Sequence, residues 1–539
     1  MQSATQPGYM QRVLRLLRPS HEYSAFSATL LLMSVVMLSR VIGYVRDAYI
    51  AWAFGAGAQT DAFLAAFTVP DFLTYLLAGG ATSITFISIY TRYVAEKRED
   101  EAQRTLSIII TVMAVVFAIG GLVAGIFAAP IVRYVFNGFD PEQVRLCVYL
   151  TRILLPQPLF FFVGGVIGAV LLSKRMFLIP SLTSVVYTLC IIGGGILLHN
   201  RIGIASLALG ATAGALLGPF LMNAISVARH GVRYSASFNV KDAGFREWLW
   251  MTIPLMLGVS LVTADDWFLR HFASGISGDI TRLNYAKRLL QVPVAVLAQA
   301  AGQAAQPFFA KLFSEKRLTE FAEQVNGSVY RVVGASFLIT ALMMATALPA
   351  TDLAMRRGLF TFADSMETAG FLFWFALSLA FWSAQSIYAR GFYGAGNTWT
   401  PMIAGTIITV VMFPVYSALF HSMSGMGLAL ASDIGIATHT IVLAILLHRK
   451  KLVSVRLMPW LELAKAAVVA ALAGLLAFKA ASLIPLQGDR VQDVEAFVFA
   501  SATWAVVGAF GLWVTKSSLL QAFLRKKKSP LPSGEGRAR

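Results

Sequence analysis

The chain has 539 residues, 57% hydrophobic and only 13% charged, with mean hydropathy +0.69 and a net charge of +17. Soluble domains carry about a quarter charged residues, so these values exclude an ordinary soluble enzyme and point to a polytopic membrane protein. The positive charge does not argue for nucleic acid, because the basic residues cluster in short linkers between apolar runs, where they set topology.

Residues 1–23 lack an apolar region followed by a small-residue cleavage site, and they read as a basic cytoplasmic arm rather than a signal peptide. A helix needs about 20 apolar residues to cross the hydrocarbon. That length predicts about fourteen spans, near 24–53, 60–90, 104–135, 144–172, 178–198, 203–228, 247–272, 280–312, 328–350, 366–393, 399–420, 425–447, 460–484 and 495–523. Arg12, Arg15 and Arg18 precede the first span, and Lys97, Arg98 and Arg104 follow the second. Lys174 and Arg175 follow the fourth, and Arg229, Arg233, Lys241 and Arg246 the sixth. Lys311, Lys316 and Arg317 follow the eighth, Arg449, Lys450, Lys451 and Arg456 the twelfth, and Arg525 to Lys528 the last. The alternate loops carry acids instead, among them Asp61, Asp140, Asp364 and Asp489. The positive-inside rule then places both termini in the cytoplasm.

The chain repeats itself at an offset of roughly 220 residues. KRMFLIPSLTSVVYTL at Lys174 aligns with GNTWTPMIAGTIITVV at Gly396, matching Pro180 to Pro401. GIASLALGATAG at Gly203 matches GMGLALASDIGI at Gly425, aligning Leu207–Leu209 with Leu428–Leu430, and YVAEKRE at Tyr93 matches LFSEKRL at Leu312. Six spans separate the copies, so both insert with the same orientation. The expected architecture is all-α: two pseudo-symmetric six-helix lobes, residues 24–230 and 231–450, of a rocking transporter with its substrate site between the lobes. A helix pair at 451–524 and a basic cytoplasmic tail at 525–539 lie outside the repeat.

Arg40, Arg46 and Asp47 interrupt the first span. A charge at the centre of a spanning helix costs about 2.5–3.5 kcal/mol even on the mildest scale, so three in one helix point to a wet or protein-lined cavity. At 100° per residue Arg40, Gly43 and Asp47 share a face, with a bend or a close neighbour expected at Gly43. Arg46 and Asp47 lie about 10 Å, and Arg40 about 20 Å, below the outer end of the helix. Asp61 opens the second span and fits either a cavity role or a helix cap. Asp265 and Asp266 come late in the seventh span, one of them a candidate for proton or cation coupling. Lys287 and Arg288 sit about two turns into the eighth. Asp47 fits an ion pair that fixes helix register as well as a functional role. The arginines outnumber the acids near them and favour an anionic ligand, since guanidinium forks match phosphate and carboxylate oxygens. Cys147 and Cys190 read as small buried hydrophobes, and the seven histidines show no metal-ligand spacing. No cofactor is expected beyond a membrane potential or cation gradient as driving force.

SRVIGYVRDAYIAWAFGAGAQTDAFLAAFTVPDF resembles the N-terminal signature of the MurJ/MviN family, lipid II flippases of the MOP exporter superfamily. YAKRLLQVPVAVL, RRGLFTFAD, GFYGAGNTWTP and GLALASDIG echo it further, so the resemblance runs from about residue 30 to 450. It implies a fourteen-helix bacterial inner-membrane protein that moves undecaprenyl-diphosphate-linked disaccharide-pentapeptide outward by alternating access. It also implies membrane lipids and the cell-wall synthesis machinery as partners. The family's essential cavity residues match Arg40, Arg46, Asp47, Asp61 and Arg288, and its extra helix pair forms a lipid-tail groove. One departure stands out. Where relatives usually have an Arg-Arg pair and AEGA in the second helix, this chain has Asp71-Phe72-Leu73-Thr74-Tyr75 and then Ala78-Gly79-Gly80-Ala81. Lys287, where relatives often carry an acid, would partly restore the lost charge. The departure keeps open a flippase for another lipid-linked oligosaccharide, or a non-transporting scaffold. A drug exporter fits the arginine-rich cavity poorly. A glycosyltransferase would need a larger aqueous domain than linkers of about twenty residues provide.

Overall fold

The computed structural model describes residues 25–78, 82–174, 176–257, 261–454, 458–486 and 488–520. The basic N-terminal arm, residues 79–81, Arg175, Arg456 and the basic tail lie outside the described residues. All regular structure within them is helical. The chain divides into two compact units, Met1–Arg282 with Met355–Asp364, and Leu283–Ala354 with Ser365–Arg539.

The first unit contains α1 (Ala25–Phe54), α2 (Ala58–Ala66), α3 (Thr68–Ala78), α4 (Thr82–Ala95), α5 (Glu99–Ile126), α6 (Ala128–Val135) and α7 (Pro141–Leu154). It continues through α8 (Gln157–Ser173), α9 (Leu178–Ile202), α10 (Ala205–Ala215), a π-helical stretch Leu216–Met222, α11 (Asn223–Arg229), α12 (Ala243–Leu257) and α13 (Leu261–Ala273). The division falls inside α14 (Asp279–Pro293). The second unit then holds a π-helical stretch Val294–Ala300, α15 (Ala301–Ser314), α16 (Leu318–Ala345), nearly all of α17 (Ala347–Met355), and α18 (Phe362–Ala376) after its first turn. It ends with α19 (Leu379–Gly394), α20 (Trp399–Arg449), α21 (Trp460–Ser482) and α22 (Arg490–Val514).

Among the described residues, eight helices are long and apolar enough to cross a membrane, or nine if α18 and α19, bent by 44°, form one span. This differs from the fourteen read from sequence. The 51-residue α20 merges two sequence spans across Ser424. Of the other expected spans, 279–314 carries Asp279, Arg282, Lys287 and Arg288 and turns π-helical after Pro293, while 58–95 and 243–273 each include residues outside the described ones and 25–54 includes side chains outside them.

The repeat appears in backbone detail. Lys97 (φ 60°) and Lys316 (φ 57°) make the same left-handed turn. The arginine after each pairs with glutamates on both sides: Arg98 with Glu96 and Glu101 at 2.8 and 2.6 Å, Arg317 with Glu315 and Glu320 at 2.8 and 2.5 Å. Each turn opens a 28-residue helix, α5 or α16. Gly203 (φ 55°, ψ −137°) and Ser424 (φ 53°, ψ −138°) share one backbone conformation, as the Leu207–Leu428 register requires.

The packing boundary between units differs from the repeat boundary at 230. Trp248 of α12 is fully buried beside Phe162 and Phe245, Thr252 Oγ1 lies 3.2 Å from Thr85 Oγ1, and Arg92 donates to Glu247 at 2.9 Å. These contacts place α12 in the first unit. In the second unit Phe309, Phe321, Phe392 and Leu447 form a fully buried core. The α21–α22 hairpin packs on α16 through a buried alanine face that includes Ala466, Ala473 and Ala477, with Trp504 Nε1 donating to the Leu338 carbonyl at 2.8 Å.

A serine in the backbone conformation of Ser424 stores strain of about 1–3 kcal/mol that glycine avoids. Ser424→Gly is therefore expected to raise the unfolding temperature. Gly203→Ala, whose methyl meets no described atom within 4 Å, should lower it through backbone strain alone. Thermal unfolding in detergent checks both.

Candidate functional site

Helix α1 lies parallel to α9, held by Ser39 Oγ to Ser184 Oγ at 3.0 Å, by the Tyr49 ring against Gly195, and by Phe54 edge-on to His199 with centroids 4.9 Å apart. The contacts advance together along both helices, as first and fifth spans of the same direction require. Arg46 Nε and Nη2 donate to Asp47 Oδ1 at 2.9 and 2.7 Å. Asp47 is buried and Arg46 half-buried, whereas Arg40 is exposed. No described atom lies within 4 Å of where a Gly43 side chain would begin, and α1 runs on unbroken. Gly43 is thus uncrowded by described atoms on the face it shares with exposed Arg40, whereas Asp47, further along the same face, is buried.

Asp61, 1% exposed, lies in the first turn of α2 and joins it to α14. Its carboxylate accepts the Gly278 and Thr281 amides at 2.5 and 2.9 Å and the Thr281 hydroxyl at 2.6 Å. Both oxygens thus satisfy donors that the start of a helix leaves without intrahelical partners. The negative charge also sits at the positive end of the α14 dipole. Nearby, residues 355–364 clasp the C-terminal end of α1. The Leu359 amide donates to the Trp52 carbonyl at 3.0 Å, and Gly358 approaches that carbonyl so closely that a Cβ would lie 2.2 Å from it. Arg282 closes the clasp, donating to Asp364 at 2.8 Å and lying 3.3 Å from Asp279.

The divergent stretch of α3 is matched to α13. Arg270 Nη1 donates to Thr68 Oγ1 at 3.1 Å and to Asp71 at 3.4 Å. Trp267 meets Phe72 and Tyr75 edge-on, with centroids 5.5 and 5.9 Å apart. On the same helix Asp265 is buried and Asp266 half-buried. Lys287 and Arg288 lie on the part of α14 that belongs to the second unit, where Lys287 is 9% exposed and Arg288 is exposed. The first unit thus holds Arg40, Arg46, Asp47, Asp61, Asp265 and Asp266, and the second holds Lys287 and Arg288.

Sequence reasoning did not single out Arg270 or Arg282. Both sit near helix ends, where a basic residue signals no more than an interface. Arg357, exposed beside the clasp, was legible only as part of the RRGLFTFAD motif.

Asp61→Ala leaves two buried amides without acceptors, which costs about 1–3 kcal/mol each. It is expected to lower the unfolding temperature more than Asp71→Ala, whose 3.4 Å pair with Arg270 is half-exposed on the aspartate side. Parallel thermal melts of the two variants measure the difference.

A family model described as "Lipid II flippase MurJ" matches residues 50–494. The lipid II flippase MurJ of Burkholderia cenocepacia is 27% identical over 508 residues, covering 91% of this chain and 97% of that protein. The probable lipid II flippase MurJ of Vibrio cholerae is 27% identical over 417 residues, covering 75% and 79%. A solved structure of lipid II flippase MurJ in an inward closed conformation aligns with a TM-score of 0.75 at 20% identity, over 90% of this chain and 100% of that one. An inward-facing MATE multidrug transporter of the MOP superfamily aligns at 0.60 and 14% identity, over 78% and 98%. These two likenesses establish the fold. Asp61, Lys287 and Arg288 fall inside the matched range, while Arg40, Arg46 and Asp47 precede it. Because the family model spans most of the sequence, from the end of α1 into α22, this polytopic membrane protein belongs to the MurJ lipid II flippase family.

Proposed function

We propose that this chain moves undecaprenyl-diphosphate-linked disaccharide-pentapeptide from the inner to the outer leaflet of the bacterial cytoplasmic membrane by alternating access. It acts as a transporter and not as an enzyme. The observation that carries the reading is the charge geometry of α1. Two arginines against one aspartate leave the helix net cationic, and Arg40 is exposed on the face that Gly43 leaves uncrowded. A diphosphate suits such a surface, because guanidinium groups bind its oxygens bidentately.

In this reading Arg40, Arg46 and Arg288 clamp the diphosphate, and Asp47 orients Arg46 and exchanges partners between states. Lys287 supplies part of the positive charge that α3 lacks. Asp265 or Asp266 couples transport to a cation gradient or the membrane potential. Both termini face the cytoplasm, the lobes at 24–230 and 231–450 rock, and α21 and α22 guide the lipid tail. The cell-wall synthesis machinery receives the product. A second reading, a flippase for another lipid-linked oligosaccharide, draws on the Asp71–Arg270 pair and the Phe72–Tyr75–Trp267 cluster. They occupy the stretch where relatives carry two arginines.

Translocation of labelled lipid II in vesicles containing the purified protein tests the proposal. Arg40→Gln and Arg288→Gln should each slow it at least about tenfold, equivalent to about 1.4 kcal/mol or more, and Lys287→Ala should slow it less. Unchanged rates in the arginine variants would contradict the clamp. Full activity in Lys287→Ala beside a dead Arg288→Ala would remove Lys287 from it. Transport of an O-antigen-type lipid in preference to lipid II would select the second reading.

A further inference from the structure

The first unit contains a cavity of about 470 Å³, within the size range of small-ligand sites, well away in sequence from the charges of α1. It lies between Leu106, Ile110 and Ala114 of α5, Val163 of α8 and Phe220 of the π-helical stretch, with Tyr234 at one end. From Leu106 to Ala114 it follows α5 for about 12 Å. All its lining residues are apolar except for the Tyr234 hydroxyl, which is 2.9 Å from Thr111 Oγ1. A buried water needs two to four polar partners, so this lining suits hydrocarbon. Phe220 reaches it from a π-helical turn that contains Pro219, a distortion frequent at functional sites.

One end of the cavity is organised differently. Residues 232–240 form a strap without regular structure along α5. The Arg233 amide donates to Gln103 Oε1 at 3.0 Å, the Ser235 amide to Ser107 Oγ at 3.2 Å and the Ser237 amide to Thr111 Oγ1 at 3.3 Å. These bonds use the strap backbone; Val232 and Tyr234 turn toward the cavity, while other strap side chains face outward. Phe238 and Val240 are 63% and 52% exposed, and Arg233 is exposed as well. Arg229, next to the lining residue Ala228, and Arg104, two residues before Leu106, are also exposed. An apolar slot that ends among three arginines and exposed apolar side chains has the charge complementarity of a lipid with an anionic head.

We infer that this cavity binds one acyl chain of an anionic glycerophospholipid, with the headgroup phosphate held by Arg229, Arg233 and Arg104 and the strap packed against the glycerol region. The site is distinct from that of the transported substrate. It uses none of the residues assigned to the diphosphate clamp, and its failure would leave the transport reading untouched.

The test is native mass spectrometry of the full-length protein in neutral detergent, with dioleoyl-phosphatidylglycerol or dioleoyl-phosphatidylcholine added. The wild-type protein should retain phosphatidylglycerol at least about threefold more than phosphatidylcholine. Arg229→Gln/Arg233→Gln, confined to exposed side chains, should bring the ratio close to parity. Ala114→Phe, which fills the slot, should reduce phosphatidylglycerol retention by a similar factor. If Ala114→Phe does not fold, the exposed arginine variant decides alone. Equal retention of the two lipids by the wild type would overturn the proposal, and so would a preference unchanged in the arginine variant. Displacement of phosphatidylglycerol by an equimolar polyprenyl phosphate, lost in the arginine variant, would also overturn it by assigning the slot to a transported tail.

Discussion

Ionised side chains within a spanning helix must recover from protein or water the hydration that hydrocarbon withholds, and in α1 three such residues have to do so within two turns. Arg46 and Asp47 solve half of the problem by pairing at 2.7 Å in a partly buried position. Arg40 stands exposed, and no described atom lies within 4 Å of where a side chain at Gly43 would begin.

A charged helix also needs its ends held, because a shift of one turn along the axis would move Arg40 by about 5.4 Å. The C-terminal end of α1 is gripped by residues 355–364 through the Leu359 amide and the close approach of Gly358. Arg282 ties that segment to the start of α14, and Asp61 ties the start of α14 to α2. Asp61 therefore connects to function through position: its carboxylate is occupied by three donors from α14 and its approach, and it fixes where that helix begins. The same logic explains why an acid is required there, since only a carboxylate accepts all three donors and complements the helix dipole.

Much of this was legible in the sequence, where local backbone chemistry leaves local marks. The Glu-Lys-Arg turns at Lys97 and Lys316 and the proline-led helices after Lys174 and Gly396 announced the repeat, and the backbone bears it out residue by residue. The Leu207–Leu209 to Leu428–Leu430 register sets Gly203 against Ser424, and the two share one backbone conformation. Long-range partners left no mark. Asp61 was readable as a cap, but its donors lie more than 200 residues away in sequence (separations 217 and 220). The assignment of α12 to the first unit depends on Trp248 finding Phe162 and Phe245, which hydropathy cannot specify. The divergent Asp71-Phe72-Leu73-Thr74-Tyr75 stretch looked like a loss of charge. In the structure it is an exchange, in which an acid and two rings meet Arg270 and Trp267.

The claim on which the rest depends is that the open cationic face of α1 serves the diphosphate of lipid II. Depletion of the protein in its own cells, with lipid II on each leaflet measured by its accessibility to an externally added lipid II-cleaving enzyme, tests this most directly. Lipid II should accumulate in the protected inner leaflet, and re-expressed wild-type protein should restore its exposure while Arg40→Gln should not. Unchanged lipid II accessibility and intact peptidoglycan, with surface polysaccharide lost instead, would contradict it.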